Sequence, residues 1–160
     1  MIGILSDSHD NVPLIERAVR LFNDAGCDLV LHAGDVVAPF AARALAGLRA
    51  PVKAVFGNCD GETEGLAGAL AAFGDIRKPP YRFEHAGLRF LLVHSSAGLA
   101  GLLAADARDV VVCGHTHRAE VLRKGKILLI NPGEACGWVR GRATACLFDP
   151  GRLSADIVPL

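Results

Sequence analysis

Seven polar residues with metal-binding side chains follow short apolar runs along this 160-residue chain. They are two aspartates, one asparagine and four of the six histidines: Asp7, His9, Asp35, Asn58, His94, His115 and His117. Carboxylate, amide and imidazole donors together favour divalent ions such as Mn²⁺, Fe²⁺, Zn²⁺ or Ni²⁺ over soft metals. Each residue alone has an ordinary explanation in a turn or cap. As a set at successive strand ends, they predict a metal site.

The spacing of these residues indicates how many ions the site holds. Asp7 and His9 are two residues apart, so a bend after the strand can turn both toward one ion. His115 and His117 have the same spacing and can each serve a different ion. Asp35 stands alone in its loop, where it can bridge the pair. Two ions held ~3.5–4 Å apart position a water between them, which predicts hydrolysis of a phosphate ester by a metal-bridging hydroxide.

Apolar runs that alternate with stretches of helical period must position these side chains. The first half of the chain predicts strands over 2–5, 28–31 and 52–56, separated by helices over 12–25 and 39–48. This order favours parallel strands joined by helical crossovers. Ligands bind at the carboxyl ends of the strands in such sheets, which is where the polar residues follow.

The second half of the chain predicts mainly antiparallel pairs. After a Gly-interrupted helix, the expected elements are a hairpin, a short helix, a single strand and two further strand pairs. In chain order they cover 63–73, 81–84 with 88–93, 99–105, 110–113, 120–123 with 126–130, and 144–148 with 153–158. The whole pattern predicts an α/β sandwich, with two mixed sheets packed face to face and helices outside. Residues 1–160 are expected to form a single domain.

Composition and charge narrow the functional class. The formal net charge is zero, which argues against binding of a nucleic-acid duplex through a broad basic face. The N-terminal apolar run ends by residue 5, and no apolar stretch approaches the ~20 residues of a membrane span, so neither a signal peptide nor a membrane anchor is expected. The five cysteines are widely separated and indicate a reducing, cytoplasmic location.

The ordered motifs resemble the calcineurin-like metallophosphoesterase superfamily. They are Asp7-x-His9, Gly34-Asp35, Gly57-Asn58-x-Asp60, His94, Gly114-His115-x-His117 and Asn131-Pro132-Gly133-Glu134. Within that superfamily the chain is similar to the small bacterial and archaeal phosphodiesterases of the YfcE/MJ0936 type. The resemblance covers nearly the whole chain. Any one of the motifs alone would be weak, whereas the set in this order is specific.

The resemblance implies a fold, a pair of ligand sets and an assembly. The fold is a four-layer α/β/β/α sandwich of two mixed sheets flanked by helices. One ion would be held by Asp7, His9, Asp35 and His117, and the other by Asp35, Asn58, His94 and His115. Mn²⁺ is the expected metal, with Ni²⁺, Fe²⁺, Zn²⁺ and Mg²⁺ as alternatives. A homodimer or homotetramer is expected, with a small phosphodiester as substrate and cyclic nucleotides among the candidates.

Five residues are expected to be catalytic: Asp35, Asn58, Cys59, Asp60 and His94. Many superfamily members carry histidine where this chain has Cys59, and that histidine is thought to assist the leaving group. A thiol is a poorer general acid than an imidazolium at neutral pH, so diesters are predicted to react better than monoesters. Cys59 has an alternative role as a small residue that fills a tight loop. Asp60 is expected to brace its loop or a ligand imidazole.

Two other functions stay open at this level. One is a metal-dependent phosphomonoesterase or pyrophosphatase, against which only Cys59 argues. The other is a non-catalytic scaffold on the same fold, like the retromer scaffold subunit, which the complete set of ligand residues disfavours. His32 is expected to be a packed, hydrogen-bonded histidine rather than a ligand. The Gly-rich segment 134–142, with Trp138, is either a loop near the site or a subunit contact.

Overall fold

A computed structural model describes residues 1–105 and 108–160 of the chain. In chain order its strands are β1 (Ile2–Leu5), β2 (Leu29–His32), β3 (Val52–Val55), β4 (Gly74–Arg77), β5 (Tyr81–His85), β6 (Leu88–Leu92), β7 (Val110–Val112), β8 (Ala119–Lys124), β9 (Ile127–Pro132), β10 (Thr144–Asp149) and β11 (Ser154–Pro159). Its helices are α1 (Val12–Asp24), α2 (Pro39–Arg43), α3 (Thr63–Leu70) and α4 (Leu99–Ala105), and a 3₁₀ turn (Ala44–Gly47) follows α2.

The first sheet has six strands in the order β11-β10-β1-β2-β3-β4. Strands β1 to β4 are mutually parallel, and α1, α2 and α3 make the crossovers between them. Strands β10 and β11 add an antiparallel edge beside β1. The carboxyl ends of β1, β2 and β3 therefore open at the same edge of the sheet.

The second sheet has five strands in the order β5-β6-β7-β9-β8. Its central strands β6, β7 and β9 are parallel, while β5 and β8 pair antiparallel with their hairpin partners. The hairpin predicted over 81–84 and 88–93 is present as β5 and β6, and its turn residues Ala86 and Gly87 have positive φ angles of 49° and 76°. Both sheets are thus mixed, as predicted.

Three hydrophobic clusters separate four layers. The middle cluster lies between the sheets, where Ile4 and Leu31 of the first sheet face Phe90 and Ile130 of the second. A second cluster joins α1, α2 and α3 to the outer face of the first sheet. A third places Leu99, Leu102 and Leu103 of α4 against the outer face of the second. The predicted four-layer α/β/β/α sandwich is confirmed.

The structure differs from the sequence-based prediction at three points. Strand β4 was not expected, because only Ile76 of its four residues is buried and a single apolar residue gives no strand pattern. The helix predicted over 39–48 is α-helical only to Arg43 and continues as a 3₁₀ turn. The helix predicted over 63–73 ends at Leu70, which frees the chain to enter β4. Among the described residues, no helix is both long and apolar enough to cross a membrane.

Candidate metal centre

The loops that follow five strands bring the seven predicted ligand residues to one edge of the sandwich. Asp7, His9, Asp35 and Asn58 follow β1, β2 and β3 of the first sheet, and His94, His115 and His117 follow β6 and β7 of the second. The His94 Nδ1 donates to the carbonyl of Ala33 at 2.8 Å, which ties the two sheets together at this point. The loops of the two sheets therefore meet at this edge, and the seven residues share one site.

The backbone of these loops is strained where the candidate ligands lie. Positive φ angles are uncommon for residues other than glycine and concentrate at functional sites. Of the nine such residues among those described, seven lie in these loops: Asp7, His9, Asp10, Asp35, Val37, His115 and His117. Tight left-handed turns allow residues two apart in the sequence, such as Asp7 and His9, to direct their side chains to the same place.

The two carboxylate oxygens of Asp7 have different environments. Its Oδ2 accepts hydrogen bonds from the Ser6 hydroxyl at 2.6 Å and from the His115 amide at 3.1 Å. Its Oδ1 is buried and has no hydrogen-bond partner among the described residues. That oxygen lies 3.4 Å from His117 Nε2 and 4.0 Å from His9 Nε2, and His9 Nε2 is likewise buried without a partner there. Buried polar atoms without a hydrogen-bond partner lower the stability of the fold. Two such atoms, Asp7 Oδ1 and His9 Nε2, face each other here.

Asp35 lies between the group formed by Asp7, His9 and His117 and a second group formed around His94. Its Oδ1 accepts the Cys59 amide at 2.8 Å. Its Oδ2 lies 3.7 Å from His9 Nε2 and 3.4 Å from His94 Nε2, so a single oxygen faces both groups. Burial alone would raise the pKa of Asp35, but hydrogen bonds with His94 and the Cys59 amide outweigh it and lower the pKa. The carboxylate is therefore negative at neutral pH.

The second group is built around His94. Because Nδ1 donates to the Ala33 carbonyl, Nε2 is the nitrogen that faces the site. It can donate to Asp35 when protonated, and once deprotonated it offers its lone pair to an ion. Nε2 of His94 lies 2.9 Å from Asn58 Oδ1 and 3.3 Å from His115 Nδ1. Burial lowers the pKa of His94, but hydrogen bonding with Asp35 and Ala33 and the nearby carboxylates raise it overall. The site thus draws positive charge to this point.

Both groups fit a divalent cation. Donor atoms ~2.1 Å from an ion lie about 3 Å apart when they meet it at right angles, close to the separations observed. Asp7, His9 and His117 form one such cluster, and Asp7, Asp35 and His94 form another. The donor set of oxygen and imidazole nitrogen suits Mn²⁺ and its neighbours. An ion in each group would satisfy the orphaned atoms and the converging lone pairs.

A glycine allows the loop after β7 to lie in contact with the loop after β1. A Cβ on Gly114 would collide with the Ser6 hydroxyl oxygen and come within 2.7 Å of Asp7 Oδ2. Any other residue there would displace the hydrogen bond that orients Asp7. The glycine of the Gly114-His115-x-His117 motif is therefore required by contact with the neighbouring strand end, since no positive φ is involved.

Glu134 is a residue of this site that was not among the predicted functional residues. Its side chain is fully buried, and its Oε2 accepts a hydrogen bond from His117 Nδ1 at 2.7 Å. Burial raises the pKa of Glu134, but the bonds from His117 and the amides of Val139 and Arg140 lower it overall. A carboxylate on the far nitrogen of a ligand imidazole fixes the ring and its tautomer. The Asn131-Pro132-Gly133-Glu134 motif was the only signal, and it did not indicate a partner.

Asp60 faces away from the centre of the site. Its two oxygens accept hydrogen bonds from three backbone amides, those of Asp35 at 3.0 Å, Gly57 at 2.7 Å and Val37 at 2.7 Å. These contacts join the loop after β2 to the loop after β3. The geometry matches the bracing role considered for Asp60, since both of its oxygens accept from loop amides, including that of the candidate ligand Asp35.

Cys59 lies at the rim of the site. Its side chain is exposed, and the Asn58 amide group donates to its sulfur at 3.3 Å. Partial desolvation and the charge of Asp35 raise the pKa of the thiol. Cys59 is therefore neutral at physiological pH.

His32 is packed behind the site. Its Nδ1 accepts the Gly34 amide at 3.2 Å and its Nε2 donates to the Ser8 hydroxyl at 3.0 Å. Burial lowers its pKa to about 4, so the ring is neutral. With both nitrogens occupied, His32 is the hydrogen-bonded core histidine that was expected.

Known phosphodiesterases are similar to this chain in sequence and in fold. The phosphodiesterase MJ0936 of Methanocaldococcus jannaschii is 35% identical over 152 residues, which cover 92% of each chain. The phosphodiesterase YfcE of Escherichia coli K12 is 32% identical over 142 residues, 80% of this chain and 75% of that protein. The solved structure of an archaeal phosphodiesterase superposes with a TM-score of 0.94 at 33% identity, covering 99% of both chains.

A model of one protein family also matches nearly the whole length. It is the calcineurin-like phosphoesterase superfamily domain, and the match covers residues 1–152. That range includes all seven candidate ligand residues. The chain belongs to the calcineurin-like phosphoesterase superfamily.

Proposed function

We propose that this chain is a dinuclear metal-dependent phosphodiesterase, with residues 1–160 acting as one catalytic domain. The observation that carries the proposal is the position of Asp35 Oδ2, which faces His9 Nε2 on one side and His94 Nε2 on the other. A single carboxylate oxygen between two sets of candidate ligand atoms suits a pair of ions better than one. The hydrolase class comes with family membership, and the names of two relatives support diesters as substrates.

In this proposal one ion is held by Asp7, His9, Asp35 and His117, and the other by Asp35, Asn58, His94 and His115. When bound, the ions supply positive charge for the phosphate oxygens and lower the pKa of a water, so that hydroxide is available at neutral pH. The protein's own residues hold that arrangement rigid. Ser6 and the His115 amide fix one oxygen of Asp7 and leave the other free for an ion.

Several finer properties belong to the same proposal. The native metal is Mn²⁺, which the mixed oxygen and nitrogen donors accept. The substrate is a small phosphodiester, with cyclic nucleotides among the candidates, rather than a nucleic-acid duplex. The protein is cytoplasmic and acts as a homodimer or homotetramer.

The direct test of the function uses demetallated protein and a panel of divalent ions. Hydrolysis of bis-p-nitrophenyl phosphate is expected to return with Mn²⁺ and to exceed hydrolysis of the p-nitrophenyl monoester. A chelator should abolish it. Faster turnover of the monoester or of pyrophosphate would show that the protein is a phosphatase or pyrophosphatase rather than a diesterase. If no ion restores hydrolysis, the protein is a non-catalytic scaffold on the same fold.

Cys59 is expected to set the preference for diesters over monoesters. A neutral thiol with a raised pKa cannot protonate a leaving oxygen well, and monoesters carry more charge on that oxygen in the transition state. Cys59→His should therefore raise the ratio of monoester to diester kcat/KM by about a hundredfold, the low end of general-acid effects. Cys59→Ser, which keeps the small side chain without an imidazole, is the matched control. A ratio that stays the same or falls in Cys59→His would leave Cys59 as a loop-filling residue.

Glu134→Gln is expected to weaken metal binding by about 10- to 100-fold, the usual effect of removing a carboxylate behind a ligand imidazole. The amide cannot supply the two acceptor oxygens that His117 Nδ1 and the backbone of Val139 and Arg140 share. Isothermal titration of the demetallated protein with Mn²⁺ measures the effect. Glu84→Gln, at an exposed position of β5, is the control. Unchanged affinity in Glu134→Gln would show that the His117 ring is oriented by other contacts.

A further inference from the structure

Trp138 lies at the rim of the candidate metal centre although it is an exposed aromatic residue. Its side chain is 65% exposed, and the neighbouring Val139 is 64% exposed. The indole overlies the imidazole of His9, with ring centroids 6.5 Å apart and an interplanar angle of 30°. Single exposed apolar residues are common on protein surfaces, but this one borders a candidate ligand of the first ion.

The loop that carries Trp138 is held by buried contacts. The amides of Val139 and Arg140 donate to the carboxylate of Glu134, which is fully buried and also holds His117. N-terminal to Trp138 in the same loop, the Cys136 amide donates to the Asp7 carbonyl at 3.1 Å. The Asn11 side chain donates to the Cys136 carbonyl at 3.0 Å. Glu134, which orients His117, and the backbone of Asp7 therefore also hold the loop that carries the indole.

We infer that Trp138 is a substrate-binding platform that selects phosphodiesters carrying a planar aromatic group, such as a nucleobase, on the side that is not cleaved. The inference rests on the proposed function. A phosphate bound at the metal pair would lie beside His9, and the exposed indole over His9 would be within reach of a planar group on that phosphate. Stacking on an aromatic side chain tolerates any base, because every base has a π face. Arg118, next to His117 in the chain, and Arg140, two residues after Trp138, are both exposed and add positive charge for an anionic substrate.

A pair of substrates with one leaving group isolates this contact. Thymidine 5′-(p-nitrophenyl phosphate) and methyl p-nitrophenyl phosphate both release p-nitrophenolate, and they differ only in the group that stays on phosphorus. Trp138→Ala is expected to lower kcat/KM for the thymidine diester by about tenfold, within the range for loss of one stacked base, mainly through KM. The methyl diester should be nearly unaffected. Trp138→Phe should restore most of the difference, and Val139→Ala, the equally exposed neighbour, should behave like the wild type.

Binding without turnover gives an independent readout, because Trp138 is the chain's one tryptophan. In the Zn²⁺-loaded protein, thymidine 5′-monophosphate should quench its fluorescence, whereas methyl phosphate should not. Calorimetry should show about tenfold weaker binding of the nucleotide to Trp138→Ala.

Activity on both diesters with an unchanged ratio in Trp138→Ala would overturn the platform and leave the diesterase intact. Inactivity of the wild type on both diesters would instead reject the proposed function. A change in sedimentation mass of Trp138→Ala with an unchanged ratio would make the indole a subunit contact.

Discussion

Asp35→Asn is expected to lower kcat/KM for bis-p-nitrophenyl phosphate by about 10³-fold, because a shared ligand contributes several kcal/mol of charge stabilisation. The substitution keeps the shape of the side chain and can keep an oxygen toward the Cys59 amide. It removes the negative charge that faces His9 on one side and His94 on the other. Steady-state kinetics at saturating Mn²⁺ measures the effect.

The control for this variant is Asp24→Asn, which removes a carboxylate at an exposed position at the end of α1. Its kinetics should match those of the wild type. Thermal unfolding of both variants checks that each is folded. If Asp35→Asn keeps more than about a tenth of the wild-type activity, Asp35 contributes less than ~1.4 kcal/mol and is not the shared ligand.

Gly57→Ala is expected to lower kcat/KM about a hundredfold, the cost of displacing a catalytic group by ~1 Å. An alanine Cβ at this position would overlap Asp35 Oδ1 and lie 2.8 Å from Asp35 Cγ. The carboxylate would have to move away from its place between the two donor groups. Gly57 has no positive φ, so the effect would come from this contact and not from backbone strain.

Gly61→Ala is the matched control for that substitution. It lies four residues further in the same loop, and a Cβ there would meet nothing within 4 Å. Its kcat/KM should stay within about twofold of the wild type, as for an ordinary surface substitution. Equal kinetics in the two variants would mean that the Asp35 carboxylate can shift without loss of function.

The positions of the candidate ligands could be predicted from sequence because they depend on local patterns. Apolar runs of four or five residues mark buried strands, and the order of strands and helices restricts the pairing of the first half to parallel neighbours. The polar residues that end those strands must then share one edge. Asp7, Asp35 and Asn58 could therefore be placed together, with His94 and His115 expected to meet them across the sandwich.

Other features depend on contacts that no local pattern records. Glu134 accepts from His117, seventeen positions away in the sequence, and from amides in its own loop. Nothing in the residue types around it distinguishes that pairing from an exposed glutamate. Strand β4 was missed because an edge strand needs few apolar residues. The orientation of Asp35, with one oxygen on the Cys59 amide and the other facing both groups, follows from tertiary packing alone.

Anomalous scattering from crystals of the wild-type protein grown with Mn²⁺ examines the shared carboxylate most directly. Two peaks ~3.5–4 Å apart are expected, with Asp35 Oδ2 in contact with both ions. His9 should contact one ion and His94 the other. A single peak, or two peaks of which Asp35 contacts only one or neither, would contradict a dinuclear centre bridged by this residue.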